Sequence, residues 1–221
     1  SNSYGWAENT LSTWNPTAYN HSGIAITASA HDHGYGPYYP ADLNTVVAVG
    51  GTKLNLNSDG SYSSESVWGN GVNSPNGKGT GSGCSSWVSS YTSAPYWQKN
   101  VANWSYTGCV NQRSIADVAA DADPATGAWV YNSVPNSFGQ TGWFAVGGTS
   151  LSAPIIAGVY GLAGNAANYT WPAQSLYQNS NQLIDVRTGS NGTCTYTIIC
   201  NGWAGYDGPT GLGTPWGLGA F

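Results

Sequence analysis

The segment 147–163 constrains the fold most strongly, because it joins a glycine turn to a long uncharged run of small and apolar residues. It reads Gly-Gly-Thr-Ser-Leu-Ser-Ala-Pro-Ile-Ile-Ala-Gly-Val-Tyr-Gly-Leu-Ala. We predict a buried helix from Ser150 onward, with Pro154 tolerated in its first turn. Orphan N–H groups and the dipole stabilise negative charge at such a helix start, so Ser150 is a candidate nucleophile. Taken alone, the motif equally fits a plain helix cap made by Thr149 or Ser150.

Short apolar runs elsewhere predict the strands of an α/β domain. Residues 23–29 and 44–49 suit buried strands, and residues 128–132 and 142–146 suit a strand pair. The segment 54–83 is rich in Ser, Asn and Gly, which predicts surface loops and hairpins. Strands that alternate with buried helices indicate a mainly parallel central sheet flanked by helices, with Gly-rich loops. We expect a single domain over residues 1–221.

Charge is scarce, and this limits the classes of partner. Only 7% of the residues are charged, with a net charge of −5, whereas about 25% is typical. No basic patch is available to neutralise phosphates, which argues against nucleic acid. No apolar stretch reaches the roughly 18 to 20 residues needed to cross a membrane. Few carboxylate pairs can be lost on protonation, so the composition tolerates acid.

Four cysteines, Cys84, Cys109, Cys194 and Cys200, allow three pairings. Proximity along the chain favours Cys84–Cys109 and Cys194–Cys200. None lies in a Cys-x-x-Cys pattern, so structural disulfides are favoured over metal ligands, and they predict a secreted, extracellular protein. The chain starts without Met or a signal peptide, which indicates a processed product or a fragment.

Several segments together resemble one family. Residues 148–154 are similar to the nucleophile motif that subtilisins and sedolisins share, and residues 1–5, 46–52, 117–124 and 206–215 resemble sedolisin segments in the family's order. We therefore identify the chain as similar to the sedolisin, or serine-carboxyl peptidase, family, which has a subtilisin-like fold. The resemblance covers about the C-terminal two thirds of a catalytic domain and implies that the N-terminal part is lacking.

The resemblance assigns Ser150 as the nucleophile and Asp32 as a donor to the oxyanion. A carboxyl group donates a hydrogen bond only when it is protonated, which requires an acidic medium or a raised pKa. The alternative for Asp32 is a turn aspartate that satisfies nearby N–H groups. The family usually places Gly before this Asp and Ser after it, but here they are His31 and His33. We expect both histidines to be cationic in acid and to lower the pKa of Asp32; a metal held by the pair is less favoured.

The family's general base is a Glu that is oriented by an Asp four residues away on an N-terminal helix. This sequence contains no matching helix. Asp117 and Asp121 have the required spacing but belong to a different family segment, and no apolar helical pattern precedes Glu8. We therefore expect the Glu/Asp pair to be absent from this chain and to come from a separate N-terminal chain or a propeptide.

The resemblance also implies a calcium site and a peptide cleft. Calcium prefers hard oxygen ligands on irregular loops, and the alternative is a pair of ordinary loop aspartates. The implied ligands are the side chains of Asp185 and Asp207 and the carbonyl groups of Val186, Trp203 and Gly205. Extended peptides would bind by strand addition, along segments that contain Ser3, Tyr4, Gly5, Ser82 and Gly83.

Together these matches imply a secreted, acid-acting endopeptidase that hydrolyses peptide or protein substrates through Ser150 and Asp32. The competing hypothesis is a non-catalytic sedolisin-like protein or an inactive processed fragment. A carbohydrate-binding module is less favoured, because the Trp and Tyr residues are spread along the chain without a repeat.

Overall fold

The computed structural model describes the backbone of Trp6–Ala7, residues 15–70 and residues 78–221. The strands are β1 (Trp6–Ala7), β2 (Thr27–Ser29), β3 (His33–Tyr35), β4 (Tyr38–Tyr39), β5 (Val47–Leu56), β6 (Tyr62–Val67), β7 (Gly69–Asn70), β8 (Lys78–Cys84), β9 (Ser114–Ile115), β10 (Val118–Asp121), β11 (Ala128–Asn132), β12 (Gly142–Val146), β13 (Leu183–Ile184) and β14 (Thr214–Pro215). The α-helices are α1 (Tyr96–Lys99), α2 (Thr149–Ala163) and α3 (Ala173–Gln178). Short 3-10 helices occupy Pro16–Tyr19, Trp104–Tyr106, Ala166–Asn168, Ser180–Gln182 and Thr197–Ile199.

A parallel sheet of order β10–β5–β2 forms the centre, and β6 adds to β5 in the antiparallel sense. Side chains of β5 alternate between two buried clusters. Val47 and Val49 lie in the cluster that includes Ile156 of α2, whereas Ala48 lies in the cluster on the other face with Ile115. Burial on both faces explains why these strands are short apolar runs. The predicted α/β fold on a parallel sheet is confirmed, although α2 is the one helix longer than six residues in the described part.

The hairpin before the serine motif has the predicted bounds, and the predicted helix begins one residue earlier than expected. Strands β11 and β12 pair antiparallel, and α2 begins at Thr149, which places Pro154 inside the helix as its sixth residue rather than in the first turn as predicted. The helix is buried on one side only, since Ile156 is 0% exposed and Leu162 is 78% exposed. Both disulfides favoured by proximity, Cys84–Cys109 and Cys194–Cys200, are present. No helix within the described residues combines the length and hydropathy needed to cross a bilayer.

Strand β8 is the main departure from the predicted surface loops of 54–83. It lies between β3 and β7 and also pairs with β9 at its C-terminal end, and residues 79–83 are buried. A Cβ on Gly81 would lie 1.6 Å from the carbonyl oxygen of Ala30. Because glycine has no side chain, neighbouring backbone can approach this strand closely and bury it. A hydropathy pattern does not predict burial of this kind.

An ion pair between Arg113 and Asp117 crosses the interior, with both side chains at most 1% exposed. Asp117 Oδ1 accepts hydrogen bonds from Arg113 Nη1 and from the hydroxyl of Tyr177, both at 2.7 Å. Its Oδ2 accepts from Arg113 Nη2 and from the N–H of Ala48. This carboxylate thus links the central strand β5 to helix α3.

Candidate active site

Ser150 is the second residue of α2, immediately beyond the end of the β11–β12 hairpin. The helix N-cap is Gly148, which makes no side-chain capping bond. Thr149 therefore does not cap the helix: its hydroxyl donates to the carboxylate of Asp32. Ser152, one position past Leu151, is buried and donates its hydroxyl to the carbonyls of Ala120 and Asp121. The helix start is thus anchored around Ser150, as a positioned nucleophile requires.

Asp32 lies against the residue that precedes the candidate nucleophile. Its Oδ1 accepts the N–H of Thr149 at 2.8 Å and the hydroxyl of Thr149 at 2.8 Å. These partners are 117 positions away along the chain, which does not fit an aspartate that serves only its own turn. Two hydrogen bonds to one oxygen fix the carboxyl group and leave its other oxygen, Oδ2, beside Gly148.

Gly148 is required at this position for two reasons. Its φ is +84°, in the left-handed region that favours glycine. A Cβ at Gly148 would also lie 2.6 Å from Asp32 Oδ2. Any side chain here would displace Asp32 from the helix start, so the glycine lets the carboxyl group approach the serine motif.

His31 and His33 flank Asp32, and their rings lie in hydrogen-bond contact with each other. His33 Nδ1 lies 2.8 Å from His31 Nδ1, and Lys78 Nζ lies 3.2 Å from His33 Nε2. A lysine ammonium only donates, so His33 Nε2 accepts, and His33 Nδ1–H then donates to His31. Burial, with the nearby His33, lowers the pKa of His31 to about 4. The expectation of two cationic histidines is therefore wrong for His31 above this pH, because its ring is partly buried and stacked on Tyr38.

The backbone of His31 explains the family's usual glycine. Its φ is +85°, which costs a non-glycine residue about 1 kcal/mol. The ring contact with Tyr38, at 3.8 Å between centroids, offsets part of this cost.

Replacing His31 by Gly is expected to weaken the pH dependence of stability. Between pH 6.5 and about 4 the unfolded chain binds a proton at His31 that the native state does not, so native stability falls as the pH falls through this window. Solvent screens the partly exposed ring, and we expect the variant to recover about 1 kcal/mol of that loss. Urea unfolding at pH 7 and pH 4 measures it, with His21→Asn as a control at an exposed histidine. An unchanged pH dependence in the glycine variant would contradict this account.

The predicted substrate segments have different outcomes. Ser3, Tyr4 and Gly5 lie outside the described residues, as does Glu8. Ser82 is 0% exposed; its carbonyl accepts the N–H of Gly36, and its hydroxyl accepts from Asn191. Gly83 pairs with Ile115. The protein's own strands thus occupy both sides of this segment, and its role in substrate binding stays a prediction.

The rejected base candidates are engaged elsewhere. Asp117 belongs to the buried ion pair with Arg113. Asp121 accepts hydrogen bonds from Thr126 and from the N–H of Leu54, and burial raises its pKa. Neither carboxylate makes a described contact with the serine motif through its side chain.

Asp185 and Asp207 lie on neighbouring loops, as a shared ion would require. The N–H of Gly205 donates to Asp185 Oδ2 at 3.0 Å, and Arg187 Nε donates to the same oxygen at 2.7 Å. Asp185 Oδ1 is buried, and no group in the described part of the chain donates to it. Asp207 is 0% exposed and accepts from the backbone of Trp203 and Thr210. No cluster of three His, Cys, Asp or Glu exists among the described residues, so a cation here would also need the carbonyl ligands.

Comparisons with known proteins agree on one family. No protein-family model matches the chain. Sedolisin from Pseudomonas sp. (strain 101) is 38% identical over 188 residues, 81% of this chain, and kumamolisin from Bacillus sp. (strain MN-32) is 34% identical over 212 residues, 89% of this chain. The solved structure of Pseudomonas sedolisin, a serine-carboxyl proteinase complexed with two molecules of pseudo-iodotyrostatin, superposes with a TM-score of 0.62 and 34% identity.

The chain belongs to the sedolisin family. The matched region spans 29% of the length of sedolisin and 35% of the length of kumamolisin. The superposition on the solved sedolisin structure covers 82% of this chain and 47% of the sedolisin chain. Sphericase superposes with a TM-score of 0.50 at 18% identity, over 96% of this chain and 55% of its own. This second likeness supports the subtilisin-like fold alone. The role of Thr149 in holding Asp32 in place was not predicted from the sequence. The position of Thr149 inside the serine motif, directly before Ser150, was the signal that could have indicated this role.

Proposed function

We propose that this sedolisin-family chain carries the nucleophile and the oxyanion-side acid of a secreted, acid-acting serine-carboxyl endopeptidase. The observation that carries the proposal is the pair of hydrogen bonds from Thr149 to Asp32, which holds a carboxyl group beside the residue before Ser150. Two disulfides and the sparse charge are compatible with an extracellular, acidic setting.

In the proposed reaction Ser150 Oγ attacks the carbonyl carbon of the scissile peptide bond. Its proton passes to an external carboxylate base, and the carbonyl oxygen becomes an oxyanion. The N–H groups at the start of α2 and the protonated Oδ2 of Asp32 donate to that oxygen. The amine then leaves with the proton from the base, and water releases the acyl group. Asp32 donates only while protonated, which limits this chemistry to acid.

The Glu/Asp pair of the family is proposed to act from a base-bearing segment that lies outside residues 1–221. A carboxylate suits this role in acid, because its usual pKa near 4 keeps it able to accept a proton where histidine is already charged. Native mass spectrometry of the protein from its source should show whether a second chain accompanies this one.

Hydrolysis of a denatured protein substrate at pH 4 tests the function. We expect proteolysis when the base-bearing segment is present and none with this chain alone. Absence of proteolysis in both samples would favour the alternative, a non-catalytic sedolisin-like protein or an inactive processed fragment.

We also propose that calcium binds between the loops of Asp185 and Asp207. The buried, unpartnered Oδ1 of Asp185 fits a cation ligand, as does the hard-oxygen character of both carboxylates. The carbonyl groups of Val186, Trp203 and Gly205 would complete the shell. When bound, the ion would supply charge that ties the two loops together.

Removing calcium with EDTA is expected to lower the melting temperature. An ion present at 100 times its Kd contributes about 2.7 kcal/mol, which corresponds to roughly 5 to 10 °C in a chain of this size. Differential scanning calorimetry measures the change. Asp185→Asn should abolish the EDTA effect, while Asp59→Asn, at an exposed loop aspartate, should retain it. An EDTA-insensitive wild type would contradict the calcium site.

A further inference from the structure

The β11–β12 hairpin exposes an unusual amount of apolar surface. Six large apolar side chains between positions 129 and 143 are at least 46% exposed: Trp129, Val130, Tyr131, Val134, Phe138 and Trp143. The strand register puts three aromatic rings on one face, since Trp129 and Tyr131 are two apart and Tyr131 is opposite Trp143. The rings of Tyr131 and Trp143 contact edge to face at 5.4 Å. Exposed apolar patches of this kind mark binding surfaces.

The hairpin also has open strand edges. Strands β11 and β12 form a two-stranded sheet, and no third strand in the described part of the chain pairs with either. Each outer edge therefore presents backbone N–H and C=O groups to which an extended peptide can add as a further strand. Lipid would leave these groups unsatisfied, so the open edges favour a peptide over a membrane as the partner.

Its position next to the candidate nucleophile connects this surface with catalysis. Strand β12 ends at Val146, four residues before Ser150, so the two are at most about 14 Å apart. Each strand has five residues, a length of roughly 17 Å. An extended peptide of about ten residues is therefore long enough to lie along the hairpin and reach Ser150.

Charge defines the chemistry of the partner. No Asp, Glu, Lys, Arg or His occurs from position 124 to position 184. At the tip, Asn136 Oδ1 accepts the N–H groups of Phe138 and Gln140, and Asn132 Oδ1 accepts that of Val134. These backbone groups are satisfied internally, so covering the tip with an apolar partner costs little desolvation.

We propose that the β11–β12 hairpin is a docking surface for extended, uncharged, apolar segments of the polypeptide substrate. The segment adds to an open edge of the hairpin and packs its alternate side chains on the face of Trp129, Tyr131 and Trp143. This inference rests on the proposed endopeptidase function, because it takes the docked peptide to be the substrate of Ser150.

Peptide binding to a Ser150→Ala background, which prevents cleavage, tests the proposal. The probe is a fluorescein-labelled decapeptide of Leu, Val, Phe, Ala and Ser, followed by fluorescence anisotropy at pH 4. Trp129→Ser/Trp143→Ser is expected to raise its Kd at least tenfold. Trp216→Ser is the matched control, because Trp216 is 65% exposed and Trp143 is 64% exposed; its Kd should change less than twofold. Thermal unfolding checks that both variants fold.

An unchanged Kd in the double variant would overturn the proposal. So would a double variant that loses binding to phosphatidylcholine vesicles but keeps peptide binding, which would make the hairpin a membrane contact. A lowered melting temperature with unchanged peptide binding would likewise overturn it and show that the aromatic face packs within the protein. None of these readouts needs turnover, so failure of the docking surface is distinguishable from failure of Ser150 as a nucleophile.

Discussion

Replacing Asp32 by Ala is expected to lower kcat by about 10²–10³-fold at pH 4, because one donor to the oxyanion is lost. Asp32→Asn should behave differently. Its Oδ1 can still accept both hydrogen bonds from Thr149, and its Nδ2 takes the place of Oδ2 as a donor at every pH. We expect the Asn variant to keep more activity than the Ala variant at pH 4 and to extend activity toward neutral pH. Steady-state kinetics from pH 3 to 7, with the base-bearing segment present, measure both.

Thr149→Val is the control for positioning. It removes the hydroxyl that donates to Asp32 Oδ1 but keeps the backbone N–H contact. A smaller loss in kcat is expected than for Asp32→Ala, with the same pH limit as the wild type. Equal activity of the Ala variant and the wild type would show that Asp32 has no role at the oxyanion.

Replacing Arg113 by Met is expected to lower the free energy of unfolding by about 3 to 5 kcal/mol, because it leaves the Asp117 carboxylate buried without its counter-charge. The remaining donors are the Tyr177 hydroxyl and the Ala48 N–H, which do not neutralise the charge. Urea unfolding at pH 7 measures the change, and Lys53→Met serves as a control at an exposed cation.

The double variant Arg113→Met/Asp117→Leu separates the two contributions. Removal of both charges avoids the uncompensated carboxylate, so this protein should be more stable than Arg113→Met alone. If Arg113→Met lowers the free energy of unfolding by less than about 1 kcal/mol, as is typical for loss of a surface ion pair, the interior role assigned to Arg113 is contradicted.

The parts of the fold that depend on side-chain patterns were predictable from the sequence. The strands β11 and β12, helix α2 and both disulfides follow from apolar runs, a glycine start and cysteine proximity. The boundaries of β5 were not, because its polar second half continues as a strand through pairing with β6. Tertiary pairing extends a strand where local composition reads as a loop.

The parts that depend on backbone approach or on distant polar partners were not predictable. Strand β8 reads Lys-Gly-Thr-Gly-Ser-Gly-Cys and is buried because glycine allows close contact, as at Gly81. The Arg113–Asp117 pair has helical spacing but lies in no helix, so no local sequence pattern predicts this ion pair. At the candidate site, resemblance to the family supplied Asp32 and Ser150, whereas the neutral state of His31 required the structure.

Covalent labelling of Ser150 tests the central claim most directly. A biotinylated peptidyl phosphonate would be incubated with the protein at pH 4, with the base-bearing segment present, and the adduct located by peptide mass mapping. We predict an adduct on Ser150 that is absent from Ser150→Ala and retained in a folded Ser152→Ala variant, since Ser152 bonds only to buried carbonyls in the described contacts. An adduct that persists in Ser150→Ala, or none in the wild type, would contradict the assignment of Ser150 as the nucleophile.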